Sequence, residues 1–264
     1  MQTRIPEFRA VLASFAAVLL VGCGGGSSGG VSSAGTSSPS SATTPPVGSP
    51  PPSASPPPST SATSFPLSTS LATVSTSGLA ANLKVSGTIK GISVSGTGSF
   101  IESAAIAATF AGQAALQQAV ALNATVTANI IPATYTYSTM ADMYTNGSYD
   151  TVGLVDTGEY DEAVAPFAFP ASVASGDDGT LGTMNRYSDS TKTTLLGTMV
   201  STYKVEAGPS ANTAIFDQID QSLDANHNVT ATVETKYQIT STGGISLAAV
   251  SVVKGNANLS ATAV

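Results

Sequence analysis

The 264 residues contain no tryptophan, one histidine (His227) and one cysteine (Cys23). Each shortage closes a class of function. A single cysteine cannot form an intramolecular disulfide, so any folded part rests on its own core. One histidine and one cysteine fall short of the three or four ligands of a zinc site. A hydrolytic triad at His227 would need a nucleophile and an orienting acid beside it, and no Gly-x-Ser-x-Gly elbow marks one. No Gly-x-x-x-x-Gly-Lys phosphate loop occurs either. Charge is scarce as well. Asp, Glu, Lys and Arg make up 9% of the chain, against roughly 25% in an ordinary soluble domain. No basic cluster is present, which excludes nucleic acid as a partner. No cofactor and no metal is expected from these residues. Paired carboxylates on distant strands leave no local signature, so a hydrolase with an unrecognised carboxylate site stays open.

Long apolar runs are missing too. Residues 10–21 form an uncharged run of 12 residues, with Arg4 and Arg9 before it. As a helix this run covers about 18 Å, short of a hydrocarbon core of roughly 30 Å. A basic start, a short apolar stretch and small residues at its end describe a secretory signal peptide over residues 1–22.

The residues Leu20-Val21-Gly22-Cys23 resemble the lipobox of bacterial lipoproteins. The resemblance implies cleavage before Cys23, acyl chains on its thiol and amine, and a membrane partner reached through those chains. Several chains on one residue anchor stably where a single chain binds only marginally. Gly24, rather than Asp, follows the cysteine, and by the same resemblance this directs the protein to the outer membrane of the cell envelope. Without residues 1–22 the chain keeps seven Lys and Arg against 15 Asp and Glu, a net charge of −8.

Residues 23–78 are expected to form the anchored cysteine and a Gly-, Ser- and Pro-rich linker. No charged residue occurs between 24 and 64, and such a tract cannot bury enough apolar surface to order itself. At about 3.1 Å per residue its upper reach is near 130 Å.

Residues 79–264 read as an exported domain, mainly β. Val85-Ser86-Gly87-Thr88 recurs as Val94-Ser95-Gly96-Thr97, two short strands with glycine at bends. The alanines between 104 and 121 favour helix, so a short helix at 114–121 is weighed against strand. Pro132 precedes a strand at 133–137. Asn146-Gly147 is the strongest hairpin signal, because a type I′ turn needs positive φ at both central positions. Tyr135, Tyr137, Tyr144 and Tyr149 lie around it. They are read either as rings packed across a half-buried sheet or as a binding face for a glycan or amphipathic ligand. Asp150, Asp156, Glu159, Asp161 and Glu162 form an acidic cluster, read as solvated loop surface over a calcium loop of unfamiliar spacing.

Farther on, Asp178-Gly179 reads as a turn, 181–187 as a strand, 189–192 as a turn and 195–205 as a strand. Residues 212–223 fit a strand with Ile215, Ile219 and Leu223 on one face, or an amphipathic helix. Asp224-x-Asn226-x-Asn228 starts like a calcium loop, but Val229 and Thr235 replace the required Gly and Glu. Residues 229–239, a Gly243-Gly244 turn and 245–253 follow. Strands joined by short turns imply an antiparallel meander, one strongly twisted sheet curled into a barrel or half-barrel. The run from Tyr187 to Lys192, through residues 203–206 to Tyr237-Gln238-Ile239, resembles the C-terminal part of proteobacterial lipoproteins whose function is not established. That resemblance carries no catalytic motif. The expectation is a lipid-anchored envelope protein with a non-catalytic β domain that binds an envelope protein or a glycan. A carrier of a lipid or other apolar ligand is the alternative.

Overall fold

A computed structural model describes residues 63–128, 130 and 133–264. The expected signal peptide, the lipobox with Cys23, the linker as far as residue 62, and Pro132 lie outside the described residues. One helix, α1 (Leu67–Ser77), leads into thirteen strands: β1 (Leu79–Ile89), β2 (Ile92–Glu102), β3 (Ile106–Phe110), β4 (Gln113–Ala128), β5 (Thr134–Thr145), β6 (Thr151–Asp156), β7 (Glu159–Phe167), β8 (Asp178–Tyr187), β9 (Leu195–Ala207), β10 (Thr213–Asp224), β11 (Val229–Thr240), β12 (Ile245–Lys254) and β13 (Ala257–Ala263).

The strands form a closed antiparallel barrel. Each pairs with its sequence neighbour, β1 pairs with β13, and β2 closes the ring against β4. Both β2 and β3 lie along β4, opposite residues 120–128 and 113–117 respectively, so they share one place in a ring of twelve. The Val-Ser-Gly-Thr repeat explains part of this wall. In the β1–β2 ladder Val85 faces Gly96 and Gly87 faces Val94. A Cβ on Gly96 would lie 1.9 Å from the Thr125 carbonyl. The glycines therefore allow the close backbone approach that bends a sheet into a barrel.

Alternation along the strands sorts the side chains. Leu83 and Val85, Val120 to Ala128 at every second place, Met199 and Val205, Phe216, Val233, Tyr237 and Ile239 all point inward and share one core. That period of two also decides residues 113–128. Helix propensity loses here to burial on alternate residues and pairing along both edges. The 114–121 helix is thus replaced by strand, as is the helical option for 212–223. Outward rows are rich in hydroxyls: Ser93, Ser95 and Thr97 on β2, Thr230, Thr232 and Thr240 on β11. They differ from the apolar band that a lipid-embedded barrel turns to the hydrocarbon.

Among the described residues the one helix, α1, lies within the 23–78 stretch expected as anchor and linker. Leu67, Leu71 and Val74, spaced four and three apart, enter the barrel core. Phe65 pairs with Val173, and the Ser68 N–H and hydroxyl both donate to the Ala171 carbonyl, so the β7–β8 loop is tied over α1. The helix and this loop close one end of the barrel. Gly78 ends the helix at φ 75°, and a Cβ there would lie 2.7 Å from the Glu102 carbonyl.

Several turns differ from expectation. Asn146-Gly147 opens a five-residue connection rather than a two-residue one. Asn146 accepts from the N–H groups of Ser148 and Asp150, and the positive φ falls on Tyr149. Two-residue hairpins with positive φ at both places occur instead at Lys90-Gly91 and Ala111-Gly112. Asp178-Gly179 begins β8 rather than a turn, and β13 continues the meander beyond residue 253.

Candidate functional site

Two groups of side chains stand out, one on each face of the same wall. The outer one is aromatic. Phe110, at the end of β3, lies over Gly153 on β6, where any Cβ would meet the ring at 2.0 Å. Its ring stacks between Tyr144 of β5 and Tyr160 of β7, with centroids 4.8 and 5.1 Å away. Tyr187 of β8 stands directly across the ladder from Tyr160 and joins the group. Phe110 and Tyr160 are buried in this column, while Tyr144 and Tyr187 are half-buried. Charges frame the rings. The Lys192 ammonium lies 5.9 Å from the Tyr160 centroid and pairs with Glu162. Burial, with Asp142 beside it, holds the Tyr144 hydroxyl above the usual range, and burial with Glu162 does the same for Tyr160.

The tyrosines expected to share a face are divided. Tyr135 and Tyr137 point inward against the core, Tyr149 packs on that core from the 146–150 loop, and only Tyr144 belongs to the outer column. Sequence reasoning missed Phe110, Tyr160 and Tyr187 as its companions. Gly153 is the local clue, since a glycine inside a strand marks close approach by another group.

The inner group is polar. The acidic cluster read as solvated loop lies largely on the β6–β7 hairpin, with Asp156, Glu159 and Asp161 turned toward the lumen. Arg186 of β8 stands across from Asp161 but pairs with Glu159 at 2.6 Å. Asp161 is 0% exposed and neither of its oxygens has a hydrogen-bond partner. Burial first, then Glu159, pushes its carboxyl well above the usual range. Asp156 is raised to about 6, by burial and by Glu159. Burial pulls the Lys254 ammonium, from the β12 end, below its usual range.

Deeper in the barrel, Glu102 accepts from Gln118 at 3.3 Å, and Asp220 accepts from Gln218 at 3.0 Å. Burial raises Glu102 to about 8 and Asp220 to about 7. Both act on the buried Tyr237 hydroxyl, which burial raises above its ordinary value. These carboxyls are sealed among core side chains, so as they stand they cannot meet a substrate. Among the described residues, no group of three His, Cys, Asp or Glu could hold a metal ion.

The Asp224-Asn226-Asn228 motif has a local explanation. Asp224 Oδ1 accepts from the N–H groups of Asn226 and Asn228, a side-chain cap for a turn in which His227 takes φ 62°. No family model matches the chain, and no curated protein and no solved structure matches it.

Proposed function

We propose that this chain is a lipid-anchored cell-envelope protein whose barrel is a non-catalytic scaffold presenting the Phe110–Tyr144–Tyr160–Tyr187 patch to a glycan. The anchor rests on Cys23, in register with the 10–21 run, and the outer membrane is its expected place. The binding reading is carried by the ring column. On walls rich in Ser and Thr, these four rings gather outside the core, flanked by Asp142, Glu162 and Lys192. Sugar C–H faces stack on aromatic rings, while neighbouring charged groups take the hydroxyls. A carrier of apolar ligands has less support, because the lumen is lined by packed side chains and α1 enters one end of it.

Calorimetric titration of the full chain with soluble muropeptides and with lipopolysaccharide core oligosaccharide tests the binding. Tyr187→Ala, which removes a ring outside the Phe110 stack, should weaken the glycan about tenfold, the loss of roughly one stacked ring, with the melting temperature nearly unchanged. Absence of saturable binding to both glycans would overturn the reading. Cys23→Ser should abolish palmitate labelling and leave an uncleaved precursor; label still entering that variant would overturn the anchor.

A further inference from the structure

We propose that the β6–β7 hairpin is a pH-sensitive lip of the barrel, kept closed by a proton on Asp161 and loosened when that carboxyl ionises. The inference stands on three observations. First, Asp161 is wholly buried and both its oxygens lack partners, although its cross-strand neighbour is a cation. Glu159 has taken that cation at 2.6 Å. A fully buried carboxylate without a partner is costly, and neutralisation by a proton is the usual resolution.

Second, the groups around it do not compensate its charge. From β6 comes Asp156, diagonal to it across the Leu154–Asp161 pair. From its own strand comes Glu159, and from β8 Arg186. Lys254 of β12 faces Asp156 and Glu159, and Tyr137 of β5 faces Asp156. With all three hairpin carboxyls ionised, three negative charges would face two positive ones inside the barrel. A proton on Asp161 balances the set.

Third, this wall is sparsely joined. The β7 strand meets β8 only over Tyr160–Ala163, and its ladder with β6 jumps from the Gly153–Glu162 pair to the Thr151–Phe167 pair. By contrast, β10 is paired without a break along β9 from Ala214 to Asp224. Repulsion from a third charge therefore arises where few ladder pairs oppose it.

Hydrogen-exchange mass spectrometry on the full chain at pH 6 and pH 9 tests this, with protection factors corrected for the intrinsic pH dependence of exchange. Protection of residues 151–167 should fall at pH 9 by at least about tenfold more than that of residues 213–240, the effect of a single unit of linkage. Asp161→Asn carries a neutral isostere and should hold the hairpin protected at both pH values. Unchanged protection in the wild type, a uniform loss over the barrel, or an equal loss in Asp161→Asn would each overturn the proposal. If that variant does not fold, carbon-13 titration of Asp161 in the wild type decides: a protonated carboxyl at pH 6 upholds it, and an ionised one overturns it.

Discussion

Two walls of this barrel use the same side chains to opposite effect. On the β9–β10–β11 wall, Asp217 faces outward with Lys204 directly across one ladder and Lys236 across the other. Its carboxylate meets their ammonium groups at 3.2 and 3.1 Å, and Glu206 bridges the same two lysines at 3.4 and 3.6 Å. The aspartate is fully covered although it stands on the outer face. On the β6–β7–β8 wall, Asp161 also has a cation directly across the ladder, yet that cation serves Glu159. Register is the same in both places; the number of cations directly across the ladders is not. An aspartate between two lysines is satisfied at the surface. An aspartate that shares one arginine with a second carboxylate is left uncharged in the interior.

The largest break in this contrast comes from Arg186→Ala. It would leave the buried Glu159 without its guanidinium, and loss of one partner of a buried pair costs about 3–5 kcal/mol. Chemical denaturation at pH 7 should show that loss.

Acidity sharpens the contrast next. Glu102 and Asp220, at about 8 and 7, hold protons in the fold that the unfolded chain releases near the ordinary carboxyl range. Their contribution to stability is complete below that range and is lost as pH rises through 7 and then 8, amounting to a few kcal/mol. The melting temperature should therefore fall between pH 6 and pH 9. Glu102→Gln should flatten the upper part of the curve, and an unchanged slope in that variant would assign the effect elsewhere.

The double variant Tyr135→Ser, Tyr137→Ser compares inner rings with the outer column. These two rings pack on the core, so their loss should cost about 2–4 kcal/mol. Melting of the double variant beside Tyr187→Ala measures the difference between the faces.

The smallest effect belongs to the lysine ladder. Asp217→Asn leaves Lys204 and Lys236 facing each other, but Lys204 is 43% exposed and solvent screens the pair. About 1 kcal/mol is expected, shrinking in 0.5 M salt. A loss of the size expected for Arg186→Ala would erase the distinction between the walls.

Much of the barrel is legible in the sequence. The period of two at 195–205 and 229–239, the Gly243-Gly244 turn and the glycine-bent repeat at 85–97 all announce strands in an antiparallel meander. Where reading fails, phase is the cause. In β10 the residues Ile215, Ile219 and Leu223 look like the buried face, yet Ala214, Phe216, Gln218 and Asp220 point inward. Only pairing partners reveal that the more polar face is the inner one. In α1, Leu67, Leu71 and Val74 carry a helical period, but Ser and Thr occupy most other positions and give the segment the composition of a linker. The outer rings come from four strands between residues 110 and 187, and no local window contains them.

The two ends of the strand run meet where β1 pairs with β13, from the Ile89–Ala257 pair to the Leu83–Ala263 pair. These partners are 168 to 180 residues apart in the chain. Every other junction joins near neighbours, so those ladders can form early and this one must come late, since distant contacts are repaid only after a long loop is closed. Until then β1 and β13 are both open edges with unsatisfied backbone groups, able to pair with a second chain. The interval before closure, rather than any flaw in the finished barrel, is therefore when this chain is most exposed to aggregation and to proteolysis.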